Sequence, residues 1–432
     1  MEYQEILSKI NFLHRFGIKP GLENISLLLR KLGEPQRNFK VVHVAGTNGK
    51  GTVCNAISYA MSEVCNVGLF TSPHLVDGRE RIKINNIKIS EEEFVNCAQK
   101  ILNIMRNLCV NITEFEFITA LAFVFFSNNK IDLAVIETGL GGRLDATNIF
   151  ESEFVLCSVI TKISFDHMHI LGDNLKKIAS EKAGIIKKNS VVFVYSEQKS
   201  EVLDVLNKKC CELESNMIVL NKNNIKIVEP DESKARYMNR EFEIFEYKNR
   251  EIEVRLFGEY QKLNLLMALE VVDFLRKYFV LNNNFVASGL KKMKLHARFE
   301  LIKKNPVVIL DAAHNPDGAE SLARSLEIYF ANSKKICVFA VMSDKDICQI
   351  LNKFVGVFEI VILPRLKIKR AADPEIIAKF LENINSKIII AENVKIAYNM
   401  CLENLRFVKY AQEKICVIFG SFYLAAEILD IL

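Results

Sequence analysis

The chain has 432 residues, of which 50% are hydrophobic and 25% charged, and its formal net charge is +5. This composition excludes a disordered or fibrous chain and, at roughly 150 residues per domain, predicts two or three domains. No like-charged block is long enough to read as a nucleic-acid tail, whereas a small positive balance suits small anionic substrates.

From the N-terminus, M-E-Y-Q-E-I offers no basic segment followed by an apolar one, so no secretory signal is expected. Buried strands are predicted at Val41–Ala45, Val67–Phe70, Leu133–Glu137, Val155–Ile160 and Val191–Val194, then at Val307–Asp311, Ile336–Val341, Ile360–Leu363, Lys387–Ile390 and Ile415–Phe419. Their nearly continuous hydrophobicity suits parallel strands covered on both faces, and the longer helical patterns between them predict α/β architecture. The longest strongly apolar stretch, Ile118–Phe126, falls far short of the roughly 17–25 residues that span a membrane. Between Asn221 and Leu256 the runs alternate polar and apolar residues, notably Glu241–Tyr247 and Ile252–Leu256, which predicts a small antiparallel portion. The basic segment Ser288–Arg298 precedes a fresh α/β series, so the boundary is set at about residue 296, giving domains 1–295 and 296–432. Eleven cysteines are scattered without a C-x-x-C. They are expected to be small buried hydrophobes in a reducing cytoplasm rather than a metal or redox site.

Four segments carry chemistry. In V-V-H-V-A-G-T-N-G-K-G-T, Val41 to Thr52, a strand runs into a glycine-rich turn and then a helix. Backbone N–H groups of such a turn cradle phosphate oxygens, and Lys50 adds a cation. It departs from the Walker A pattern, because Val44 stands where that pattern has glycine and Gly51 separates Lys50 from Thr52. I-E-T-G-L-G-G-R-L-D-A-T-N, Ile136 to Asn148, follows the next strand and puts Glu137 where a Mg²⁺ ligand is needed; a turn serving chain reversal alone is the other reading. Asp166 and His167 follow a third strand, where a histidine serves as a ligand or as a hydrogen-bonded structural residue. I-L-D-A-A-H-N-P-D-G-A, Ile309 to Ala319, opens the second domain with Asp311, His314 and Asn315, and reads either as a ligand loop or as a helix cap.

Taken in order, G-T-N-G-K-G-T, T-S-P-H-L, E-x-G-L-G-G-R-L-D-A-T-N, D-H, E-K-A-G-I-I-K and D-x-A-H-N-P resemble the folylpolyglutamate synthase/dihydrofolate synthase family of the Mur-ligase superfamily, from about Tyr3 to Leu429. The resemblance implies an N-terminal P-loop domain and a C-terminal Rossmann-like domain. It implies ATP contacts at Thr47, Asn48, Gly49, Lys50, Gly51, Thr52, Asn264, Arg298 and Asp311, with His314 near the γ-phosphate. Ser72, Glu137 and His167 match the family's Mg²⁺ ligands, for two ions, and Lys182 matches a lysine that is carbamylated in relatives. Imidazole is an unusual Mg²⁺ ligand, so His167 rests on the resemblance. Pterin-binding positions fall on Pro20, Gly21 and Leu22, on Thr113, Glu114 and Phe115, and on Leu144, Asp145 and Ala146. Asp145 reads either as a hydrogen-bond acceptor for an aminopterin edge or as a turn cap. The family's P-G-R and H-Q are His296-Ala297-Arg298 and Tyr260-Gln261 here.

The implied activity is ATP-dependent amide formation between a dihydropteroate or reduced-folate carboxylate and L-glutamate, in a monomeric cytoplasmic enzyme without nucleic-acid or membrane partners. A monofunctional polyglutamate synthase, a Mur-type ligase for a cell-wall precursor and a non-catalytic P-loop switch are the alternatives.

Overall fold

The computed structural model describes residues 2–13, 17, 20–108, 110–228, 241–381, 386–406 and 414–432. Residues 229–240, within the stretch expected to be antiparallel, lie outside them. The chain groups into two compact units, Met1–Ile225 with Leu263–Met293, and Lys226–Lys262 with Lys294–Leu432. The chain passes between the units after Ile225, Lys262 and Met293.

The first unit is built on an eight-stranded sheet of β1 (Lys40–Ala45), β2 (Val67–Phe70), β3 (Ile82–Ile84), β4 (Ile87–Lys88), β5 (Leu133–Glu137), β6 (Val155–Ile160), β7 (Val191–Val194) and β8 (Asn216–Val219). Their order is β4-β3-β2-β5-β1-β6-β7-β8, and only β3 and β4 run antiparallel to their neighbours. Central β1 lies between β5, which pairs Glu137 with Val44, and β6, which pairs Ile160 with Ala45. From β1 the chain turns to one side through helix Lys50–Met61 into β2, whereas β5 leads across to β6 on the other side. Beside β1, therefore, the strand order reverses, and such a point opens a crevice at the carboxyl ends of the strands.

Helices cover both faces. Glu114–Asn128 holds the apolar stretch that was too short for a membrane, and it packs in the core with Phe117, Phe123 and Phe126 fully buried. It starts at a capping box, in which the Thr113 hydroxyl accepts from Glu116 N–H and the Glu116 carboxylate accepts from Thr113 N–H. Helix Asn283–Lys291 packs on helix Lys50–Met61 through Gly289, where any Cβ would collide with the Tyr59 carbonyl. Among the described residues, no helix is long and apolar enough to cross a membrane.

The second unit holds a three-stranded antiparallel sheet, β9 (Ile225–Ile227), β10 (Glu243–Tyr247) and β11 (Arg250–Val254), in the order β11-β10-β9. Its larger sheet comprises β12 (Glu300–Lys304), β13 (Val307–Leu310), β14 (Lys334–Phe339), β15 (Ile360–Pro364), β16 (Lys387–Ala391) and β17 (Lys414–Phe419), ordered β12-β13-β17-β14-β15-β16. All neighbours are parallel except β12, which returns antiparallel on β13. Phe339, Phe354, Phe358 and Phe419 pack ring against ring in its core. Cys401 and Cys416, both buried as expected of small hydrophobes, bring their sulfur atoms close together. The spacing of two cysteines fifteen residues apart did not reveal that a helix and β17 bring them together.

Candidate active site

Local geometry explains why the glycine-rich turn adopts its shape. Gly49 has φ +92°, a left-handed conformation that favours glycine, and a Cβ there would collide with the Asn264 amide. Asn264, expected at the nucleotide, therefore sits against the turn and is buried. The turn is tied to the loop after β6 on both sides: Thr47 Oγ1 donates to the Ser164 carbonyl at 3.0 Å and accepts from Ser164 N–H at 3.1 Å. Lys50 opens the helix and donates through Nζ to the Gly46 and Thr47 carbonyls, each at 3.2 Å. Backbone donors at a helix start, with an ammonium folded over the turn, make an anion cradle.

Two ionisable side chains are buried beside the turn. Lys182 is 4% exposed and donates from Nζ to the Gly46 carbonyl at 2.6 Å. Burial, reinforced by the nearby Lys50 charge, brings its pKa down to about 7, with Asp166 and Asp145 pulling the other way. Glu137, at the carboxyl end of β5, is 3% exposed and accepts from Ser72 N–H at 3.1 Å. A Cβ on Gly51 would lie 3.7 Å from Glu137 Oε2, so the carboxylate reaches the glycine-rich turn. The buried hydroxyls of Thr52, Thr138 and Thr161 have no hydrogen-bond partner among the described residues. Thr138 and Thr161 end β5 and β6 on either side of β1, with their N–H groups bonded to Val44 and Ala45 carbonyls.

The Glu137 carboxylate beside the glycine-rich turn is an oxygen donor of the kind that suits a hard divalent cation, and the helix opening at that turn carries the buried Thr52 hydroxyl. Among the described residues no three His, Cys, Asp or Glu side chains gather into a metal cage. Ser72 and Glu137 are brought together, whereas His167 stands on the loop after β6, a third exposed, its Nε2 3.8 Å from Asp166 Oδ1. His167 has φ +50° and precedes the short helix Met168–Leu171.

The loop after Glu137 is held from within. Asp145 is buried, and its Oδ2 accepts from Leu140 N–H at 2.7 Å while Oδ1 accepts from the Thr147 N–H at 3.0 Å and hydroxyl at 2.6 Å. Burial pushes its pKa up, and these donors oppose the shift. These loop donors are those of the turn-organising reading of Asp145. Gly139 lies flat on the Phe115 ring, where a Cβ would come within 2.8 Å of Cε1. Thr113 spends its hydroxyl on the helix cap, and Glu114 pairs with Arg81 at 3.7 Å. Leu144 and Ala146 flank Asp145 in the same loop, Ala146 buried in the first unit's core. Pro20 is exposed and Leu22 packs against that core. Just beyond Gly21 and Leu22, Asn24 Nδ2 donates to the Asn111 carbonyl at 3.2 Å, which sets this segment beside the approach to Thr113.

In the second unit the carboxyl end of β13 presents Asp311. It accepts from Phe299 N–H at 2.7 Å, the Tyr260 hydroxyl at 2.9 Å and Ala313 N–H at 2.7 Å. Burial raises its pKa, against the Arg298 charge and these donors. Asn315 caps helix Pro316–Phe330 by accepting from Gly318 N–H, so the cap reading of this loop holds for Asn315. His314 Nδ1 donates to the Ala312 carbonyl at 2.8 Å, which fixes the ring. Its ring lies 5.6 Å from that of Phe422, and the Arg298 guanidinium lies 4.9 Å over the same ring. Phe422 escaped the sequence reading because an aromatic at a helix start carries no signal of its own, and its partners are more than a hundred residues away.

Family models match both parts of the chain: the Mur ligase middle domain over residues 44–272 and the Mur ligase glutamate ligase domain over 297–422. A dihydrofolate synthase/folylpolyglutamate synthase of Bacillus subtilis (strain 168) is 35% identical over 351 residues, covering 79% of this chain and 80% of that protein. Among solved structures, Mycobacterium tuberculosis folylpolyglutamate synthase complexed with ADP is 29% identical, covers 100% of this chain and 99% of its own, and superposes with a TM-score of 0.89. The E. coli FolC structure in complex with DHPP and ADP is 26% identical, covers 99% and 97%, and has a TM-score of 0.83. With the glycine-rich turn, the Glu137 loop and the Asp311 loop all in place on this fold, the chain belongs to the folylpolyglutamate synthase/dihydrofolate synthase branch of the Mur ligase family.

Proposed function

We propose that this chain is an ATP-dependent amide ligase that joins L-glutamate to the carboxylate of dihydropteroate and of reduced folates. The observation that carries this reading is the conjunction, at the carboxyl ends of β1 and β5, of an anion cradle with Lys50 and a buried carboxylate, Glu137. The acceptor carboxylate oxygen attacks the γ-phosphorus of ATP, forming an O–P bond as the bond to ADP breaks. The glutamate amine then attacks the acyl carbon, phosphate leaves, and the nitrogen sheds a proton. Such chemistry needs positioning and charge neutralisation above all. Thr47 to Thr52 and Asn264 hold the phosphates, Lys50 neutralises them, and Arg298, Asp311 and His314 belong to the nucleotide's other contacts. Glu137, Ser72, Thr52 and His167 hold Mg²⁺, which supplies further neutralisation when bound. The segments Pro20–Leu22, Thr113–Phe115 and Leu144–Ala146 wall the pterin, with Asp145 shaping the last of them.

Lys182 carries a carbamate: as a neutral amine, favoured by burial, its nitrogen bonds to CO₂ and releases a proton. A folded-state mass larger by one CO₂ under native ionisation supports this, and an unmodified amine in bicarbonate-equilibrated protein excludes it. The division at about residue 296, a monomeric state and a cytoplasmic location complete the reading. The test is phosphate release with dihydropteroate or tetrahydrofolate as acceptor, with and without L-glutamate. Glutamate-dependent release with both acceptors is expected. Release with tetrahydrofolate alone identifies a monofunctional polyglutamate synthase, and no glutamate-dependent release with either refutes the ligase.

A further inference from the structure

His43 stands in the middle of β1, in the run that leads to the glycine-rich turn, yet it takes no part in phosphate binding. A fully buried imidazole in a central parallel strand is out of pattern, because such strands are otherwise apolar on both faces. Among the described residues its polar contact is with the Thr147 hydroxyl, Nε2 to Oγ1, at 2.9 Å. That hydroxyl has a single proton, and it is given to the Asp145 carboxylate at 2.6 Å. The His43–Thr147 contact must therefore be an Nε2–H donation, so the ring is the Nε2-protonated tautomer. Consistently, Nδ1 has no partner among the described residues.

The line does not end at Asp145. The other carboxylate oxygen takes the Leu140 N–H at 2.7 Å, in the turn that follows Glu137, and the adjacent Gly139 lies on the Phe115 ring. We propose that His43 is a positioning residue for the acceptor loop, acting through Thr147 and Asp145 to set the 139–147 loop against Phe115. This deepens the ligase reading and rests on it for the identity of the acceptor. Without the His43 donor, the Thr147 hydroxyl loses one of its two partners among the described residues, which weakens its support of Asp145 Oδ1 beside the Thr147 N–H. The glycine-rich turn, tied instead to Ser164 and Lys162, keeps its shape.

Steady-state kinetics with separate titration of acceptor and ATP test this. His43→Leu should raise the acceptor KM about tenfold while the ATP KM stays within about twofold. Thr147→Val, which breaks the line one residue further along, should give the same split. His43→Gln, whose amide nitrogen can donate to Thr147, should recover the acceptor KM to within about threefold. An unchanged acceptor KM in folded His43→Leu, or equal rises in both KM values, overturns the proposal. If the wild-type chain performs no glutamate-dependent ligation, the ligase reading fails by itself. The relay is then decided by histidine ¹⁵N chemical shifts, where an Nε2-protonated His43 that shifts on Thr147→Val supports it and an Nδ1-protonated ring refutes it.

Discussion

The carboxyl ends of the two sheets use polar groups in opposite ways. At β1, β5 and β6 the hydroxyls of Thr52, Thr138 and Thr161 are buried and unmatched among the described residues, beside an amine and a carboxylate that are themselves nearly inaccessible. At β13 the buried carboxylate of Asp311 is matched by three donors from its own unit, and Asn315 is used up as a cap. Buried polar atoms without partners are costly, so a fold retains them where something else completes them. On the proposed ligase reading, the first region is a cradle that the nucleotide finishes. The second is completed within its own unit, with the Arg298 guanidinium and the tilted His314 ring both against Phe422.

Substitutions should separate the two regions by what they cost. Lys50→Ala should lower ligation by about 10²–10³-fold with unfolding by urea unchanged, because the cation acts on phosphate and the helix beyond it is held by its own packing. Near-normal turnover would remove the glycine-rich turn from the mechanism. Asp311→Ala should show the reverse emphasis, a stability loss of about 3 kcal/mol in urea, since Tyr260, Phe299 and Ala313 lose their shared acceptor. A stability equal to wild type would mean that this loop is not self-supporting.

Acid should strike the first unit through His43. Burial, with help from nearby Lys187, brings its imidazole pKa down to about 3 from an ordinary 6.5. Between those values the unfolded chain binds a proton that the folded chain refuses, so stability falls as pH drops through the window. From about pH 7 to about pH 4.5 the loss amounts to roughly 2–3 kcal/mol, and His43→Gln should remove it. Parallel urea curves for the two proteins at both pH values would rule out His43 as the source. Thr52→Val is the mildest case: its hydroxyl has no partner among the described residues, so stability should be unchanged while the Mg²⁺ needed for half-maximal rate rises about tenfold. An unaltered Mg²⁺ dependence would take Thr52 out of the cation site.

Much of the architecture was legible along the chain. Long runs of β-branched residues bury both faces of a strand, and periodicity alone placed β2, β5, β6 and β7 at their observed bounds. The glycine-rich turn was readable too, because positive φ at Gly49 and a helix opening at Lys50 are local demands of backbone sterics. Weaker elements were not. The β3–β4 hairpin, β8 and β12 are short or half-exposed, and edge strands need no continuous apolar run. Tertiary structure alone decided which segment joins which unit, as with 226–262. It alone showed that Asp145 turns inward to its own loop, that Cys401 meets Cys416, and that Arg298 and His314 share the Phe422 ring. Local conformational preference acts over a few residues and can be read from them. Partners that are tens or hundreds of residues apart are chosen by packing, and packing exists only once the chain has closed on itself.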